Sequence, residues 1–208
     1  RASAGAARGV ATVRPDVSDA DLAEMHAAGV RGVRFNFVKR LFDPKPDAYY
    51  HDIIARIAPL GWHIVVYFEA ADLAERWAFF TGLPTIVVVD HMGRPDVTKP
   101  VDGSEFARFL EFMDRDNVWT KVSCPERLSK SGPPEYRDVV PFARRVVESF
   151  PDRVLWGTDW PHPNLNMVGH MPDDGALVDF IPQIAPTDEL QRKLLIDNPV
   201  RLYWPEDL

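Results

Sequence analysis

Short apolar, β-branched runs recur along the chain at residues 9–13, 32–37, 63–68, 85–89, 118–122 and 154–156. Each is apolar at successive positions, the pattern of a parallel strand buried on both faces. Amphipathic segments alternate with them. Ser18-Asp19-Ala20-Asp21 opens the first with a capping sequence, and Gly29 ends it. A second helix is predicted over 49–60, ended by Gly61, and a third over 70–81, ended by Gly82. Segments 104–115, 135–150 and 187–197 complete the predicted helices, with Asp197-Asn198-Pro199 closing the last.

Six strands alternating with helices predict an α/β fold. A doubly wound sheet usually carries a glycine-rich phosphate turn after an early strand, and the sequence has none. A (β/α)8 TIM-type barrel instead gathers polar side chains at the C-terminal ends of its strands. Arg34 and Asn36, Tyr67 and Glu69, Asp90 and His91, Ser123, and Asp159 all fall at such ends. The prediction is therefore a barrel. Six strands do not close eight, so the first two βα units are expected to precede Arg1, with residues 1–208 forming a single incomplete barrel domain.

Composition changes this picture little but limits function. The chain has 208 residues, 46% apolar and 26% charged, enough for one sizeable core. No apolar run reaches bilayer length, and no stretch has the pattern of a signal peptide. A net charge of −7 argues against nucleic acid as a partner, and means that an anionic substrate needs a local cationic pocket. The single cysteine, Cys124, excludes an internal disulfide and fits a reducing, cytoplasmic setting. Nothing in the composition bears on oligomeric state.

The chemistry-bearing residues follow the strands. Run 153–157 stops abruptly on Thr158-Asp159-Trp160-Pro161-His162-Pro163. A partly dry carboxylate beside imidazole suits a general base or a metal ligand, and a loop-capping Asp is the plainer alternative. His91 follows run 85–89 beside a glycine-containing turn. A neutral imidazole there suits metal ligation or a hydrogen bond to a carbonyl oxygen, or merely satisfies a buried backbone group. Arg34, Arg40, Arg94 and Arg127 each sit in a strand-end loop, and arginine captures carboxylates bidentately. Arg40 and Arg127 are read as substrate binders. Cys124 reads better as a small packed side chain than as a nucleophile, and Tyr67 either lines the pocket or packs. Trp62, Trp77 and Trp119 read as packing, and His26, His51 and His63 receive no chemical role.

Val33-Arg34-Phe35-Asn36-Phe37-Val38-Lys39-Arg40, Asp90-His91-Met92-Gly93-Arg94-Pro95, Ser123-Cys124-Pro125-Glu126-Arg127-Leu128 and Gly157-Thr158-Asp159-Trp160-Pro161-His162-Pro163-Asn164 together resemble the amidohydrolase superfamily. Within it they resemble the 2-pyrone-4,6-dicarboxylate lactonase family. The resemblance implies a distorted (β/α)8 barrel that hydrolyses a cyclic ester carrying two carboxylates, without a metal cofactor. It implies Asp159 as general base and His91 as the group polarising the lactone carbonyl. Arg34, Arg40 and Arg127 match carboxylate-binding positions, and Tyr67, Arg94, His162 and Asn164 match further pocket positions. The His-X-His motif of the family's first strand does not occur here and is expected before Arg1. Two other outcomes stay open: a zinc- or manganese-dependent relative of the same fold, or a catalytically silent dicarboxylate-binding fragment.

Overall fold

Every strand of the sheet pairs in parallel with the next strand in sequence. The strands are β1 (Gly9–Ala11), β2 (Val30–Asn36), β3 (His63–Tyr67), β4 (Val87–Val89), β5 (Val118–Ser123) and β6 (Val154–Gly157), in the order β1-β2-β3-β4-β5-β6. The computed structural model describes residues 5–41, 43, 45–163, 165 and 171–207. Because the strand order never reverses, the sheet has no topological switch point. It is the wall of a barrel rather than a doubly wound sheet.

Period-two alternation divides the strand residues between two cores. Val33, Phe35, Ile64, Val66, Val87, Val89, Val118, Val122 and Val154 join the large cluster beneath the helices. Val65, Val88, Trp119 and Leu155 form a separate small cluster on the other face. Leu202 belongs to that inner cluster and Tyr203 packs against it. The Tyr203 ring meets His63, the first residue of β3, at 5.0 Å. The C-terminal segment thus covers the inner face at the N-terminal ends of the strands. Towards their C-terminal ends the same face turns polar, with Arg34, Asn36, Tyr67, Lys121 and Ser123 in inward register.

The helices are α1 (Asp19–Ala27), α2 (Asp47–Ile57), α3 (Trp77–Thr81), α4 (Ser104–Met113), α5 (Pro125–Leu128), α6 (Val140–Ser149), α7 (Asp174–Asp179), α8 (Ile181–Ile184), α9 (Asp188–Arg192) and α10 (Asn198–Tyr203). The capping box at Ser18 and Asp21 forms as predicted. Three predicted helices differ. The one over 70–81 breaks into a 3-10 turn (Ala70–Asp72) and the short α3, where Lys39 ties Asp72 and Glu75 across the break. The one over 135–150 begins only at Val140. Before it, Asp138 accepts from the Ser129 and Ser131 hydroxyls and from the Lys130 and Ser131 amides, so residues 129–138 close into a loop instead. The last predicted helix does not stop at Pro199. A π-helical turn (Lys193–Asp197) carries α9 into α10, whose first turn tolerates a residue without an N–H. The Asn198 side chain donates to the Pro151 and Val154 carbonyls, both at 2.8 Å, and fastens α10 to β6. Helices α5, α7 and α8 had no counterpart in the predicted set. Among the described residues, no helix is long and apolar enough to cross a membrane.

Two buried histidines make the fold acid-sensitive. Burial pushes His63 down to about 3 and His91 down to about 4. Both values lie below the ordinary imidazole range, so the unfolded chain binds more protons than the folded one at mildly acidic pH. The stability these rings contribute is complete above about pH 7 and is lost as pH falls towards 4 and 3, by on the order of 3–5 kcal/mol for each ring. Urea unfolding measured between those limits should show stability rising with pH. A flat profile there would mean that the two rings are not buried as neutral species.

Candidate active site

Arg34, Tyr67, His91, Arg94, Arg127 and Asp159 gather where β2 to β6 end. Asp90 and His91 follow β4, Cys124 follows β5, and Asp159 lies two residues past β6. Left-handed backbone marks these exits: His91, Met92, Arg94, Cys124, Asp159 and His162 all have φ between 53° and 62°. Non-glycine residues hold such angles only where their surroundings fix them, and such positions cluster at functional sites. Gly93 permits the turn after His91, since a Cβ there would lie 2.9 Å from the Phe68 ring.

His91 is buried, and its Nδ1 lies 2.7 Å from the Ser123 hydroxyl. Burial pushes its pKa down, so the ring is neutral near pH 7. In the tautomer where Ser123 donates to Nδ1, the ring proton sits on Nε2. That atom is 3.8 Å from the Asp159 carboxylate and 3.6 Å from Cys124 Sγ. Residues 159 and 91 thus face one another, as the predicted site requires. Cys124 is fully buried, and desolvation pushes its thiol far up. A thiol held protonated is a poor nucleophile, which agrees with its reading as a packed side chain.

Beneath this pair lies an ion cluster built around a buried carboxylate. Asp90 accepts from Arg34 Nε at 2.7 Å and from Lys121 Nζ at 2.8 Å. Burial alone would raise the Asp90 carboxyl, but Lys121, His91 and Arg34 outweigh it and hold it below the usual carboxylate range. Lys121 was not foreseen as a site residue. A lysine inside a strand buried on both faces is itself a signal, because a charge there needs a partner.

The arginines are oriented by acids. Besides the Arg34–Asp90 bond, Arg40 Nε lies 3.2 Å and Arg94 Nε 3.8 Å from Glu69 Oε1. Arg94 Nη1 also donates to the Tyr67 hydroxyl at 3.0 Å. The Tyr67 ring stands edge-on to His91 at 5.4 Å, with the Arg34 guanidinium 4.9 Å from its centre. Tyr67 therefore both packs and reaches the site. Arg127 differs, because its Nη2 donates to the Asp159 carboxylate. A cavity of about 290 Å³ opens beside these groups, with Glu69, Arg94, Arg127 and Lys130 in its lining. His162 is buried and turns its ring towards Glu126 and Asp174 rather than towards the Asp159 carboxylate. Asn164 and His170 lie outside the described residues.

A family model described as amidohydrolase matches residues 1–204. The chain belongs to the amidohydrolase family. A 2-pyrone-4,6-dicarbaxylate hydrolase of Comamonas testosteroni is 69% identical over 216 aligned residues, covering 100% of this chain and 70% of that protein. A 4-sulfomuconolactone hydrolase of Hydrogenophaga intermedia is 37% identical, covering 93% of this chain and 64% of that protein. Among solved structures, a Pseudomonas putida protein assigned as a 2-pyrone-4,6-dicarboxylic acid hydrolase superposes with a TM-score of 0.79 at 31% identity. That superposition covers 95% of this chain and 71% of the other.

In this amidohydrolase, His91 Nε2, Cys124 Sγ and an Asp159 oxygen lie within 4.8 Å of one another. Such a donor set suits zinc by type. One feature works against it as it stands: Arg127 already places a guanidinium on the Asp159 carboxylate.

Proposed function

We propose that this amidohydrolase opens the lactone ring of 2-pyrone-4,6-dicarboxylate with water, giving 4-oxalomesaconate or its tautomer. The setting would be the cytoplasmic breakdown of lignin-derived aromatics through protocatechuate in bacteria. The observation that carries this reading is a carboxylate, a neutral imidazole and several guanidinium groups at the ends of neighbouring strands. The 69% identity to the Comamonas testosteroni enzyme supports the substrate.

Each residue has a defined task. Arg34, Arg40 and Arg127 take the two substrate carboxylates, and Tyr67 and Arg94 shape the pocket beside them. When Arg127 turns to a substrate carboxylate, Asp159 is free to act as a base. Asp159 takes a proton from water as the water oxygen attacks the ring carbonyl carbon. His91 donates its Nε2 hydrogen bond to the carbonyl oxygen as charge builds there. The ring C–O bond then breaks, and the proton on Asp159 passes to the departing enolate oxygen.

The reaction as proposed runs without a metal, with His91 and the guanidinium groups providing the electrostatic stabilisation. Protein dialysed against a chelator should consume the pyrone, followed by its ring absorbance, within about twofold of the untreated rate. Activity that disappears and returns only with added zinc or manganese would favour the metal-dependent reading. Stoichiometric binding without turnover would favour the binding-fragment reading.

A further inference from the structure

Four buried polar atoms without a hydrogen-bond partner among the described residues converge beside the site. They are both Glu126 carboxylate oxygens, Arg127 Nε and His162 Nδ1. Glu126 Oε1 lies 3.9 Å from Arg127 Nε and 3.9 Å from His162 Nδ1. The Glu126 and His162 side chains are only 4% and 2% exposed, so solvent does not satisfy them. Buried polar groups are nearly always paired, and several orphans at one point suggest an arrangement completed in another state.

The other arginines indicate what that state is. Arg34 is held through Nε by Asp90 at 2.7 Å, and Arg40 through Nε by Glu69 at 3.2 Å. A planar guanidinium anchored through Nε keeps its two Nη atoms available for bidentate capture of a carboxylate. Arg127 differs from both: its Nη2 is on Asp159 while its Nε has no hydrogen-bond partner. We propose that Glu126 is the positioning residue for Arg127, engaging its Nε when the Nη atoms leave Asp159 for a substrate carboxylate. Closing 3.9 Å to hydrogen-bond length needs a shift of about 1 Å. His162, held by Asp174 through Nε2 at 3.2 Å, faces the same Glu126 oxygen and limits its travel. Arg127 then has two stations. In the resting protein it covers the base. With a carboxylated ring present it is drawn off, and Asp159 is uncovered only when there is substrate to attack.

This inference rests on the proposed lactone hydrolysis, and its test separates the two. Glu126→Gln removes the charge and keeps the shape. It should raise KM about tenfold with kcat within about threefold of the parent, and Glu126→Asp should recover part of the loss. In an Arg127→Met background, Glu126→Gln should have no further effect. The same variants should weaken binding of isophthalate, an unreactive ring with two meta carboxylates, by a similar factor in titration calorimetry. Isophthalate still reads the anchoring of Arg127 if the parent proves inactive on the pyrone, so failure of the activity and failure of the anchor are distinguishable. If Glu126→Gln does not fold, Glu126→Asp carries the test, with an expected rise in KM of severalfold. Parental KM and isophthalate affinity in the folded variant would overturn the proposal. So would an equal effect of Glu126→Gln with and without Arg127.

Discussion

Asp90→Asn is expected to destabilise the protein by about 2 kcal/mol, because it removes the buried anion that Lys121 and Arg34 share. Asp90 is almost wholly buried and accepts from both Arg34 and Lys121. Burial alone would depress Lys121, yet Asp90 more than compensates and its ammonium is held above its ordinary range. An amide in place of the carboxylate leaves that half-buried ammonium close to the Arg34 guanidinium with no anion between them. For a chain of 208 residues the loss corresponds to a fall in melting temperature of roughly 5 °C. Adding Lys121→Met should return much of the lost stability, since it removes the stranded charge. Denaturant unfolding of the single and double variants measures both effects. A loss below about 1 kcal/mol in the single variant would show that the cluster is open to water or that Lys121 has another partner. The cluster also matters for function, because Asp90 orients Arg34 from below and immediately precedes His91.

Much of the frame was legible because the strand signal is strong. All six apolar runs became strands, and the polar residues at their ends converge. The parity of Arg34 with Asn36 already placed both on one face of β2. Helix limits were less legible. Residues 129–138 form a loop because one carboxylate, Asp138, binds four neighbouring groups, a choice that periodicity does not register. The π-helical turn at Lys193–Asp197 is fixed by packing against β6, which the local sequence does not specify. Within the site, residue types were legible and pairings were not. Arg34 is 56 residues from Asp90, and Arg127 is 32 from Asp159. The sequence offered arginines for a substrate. The structure shows that each is first oriented by an acid of the protein. Glu126 went unnoticed because it lies inside a recognised motif, next to the more obvious Arg127.

The central claim is that Asp159 draws a proton from water while His91 and the guanidinium groups hold the lactone. Asp159→Asn tests it most directly. The amide has nearly the same shape but cannot accept the proton, so kcat for the dicarboxylated pyrone should fall about a thousandfold. The side chain is one-quarter exposed, so the fold should tolerate the change. KM should not rise, because Arg127 no longer has a carboxylate to cover and remains available to substrate. The measurement is steady-state loss of ring absorbance by parent and variant at equal concentrations of folded protein. A collapse of kcat with KM unchanged or lowered is the predicted result. Turnover within about tenfold of the parent would contradict it and move the base to another residue.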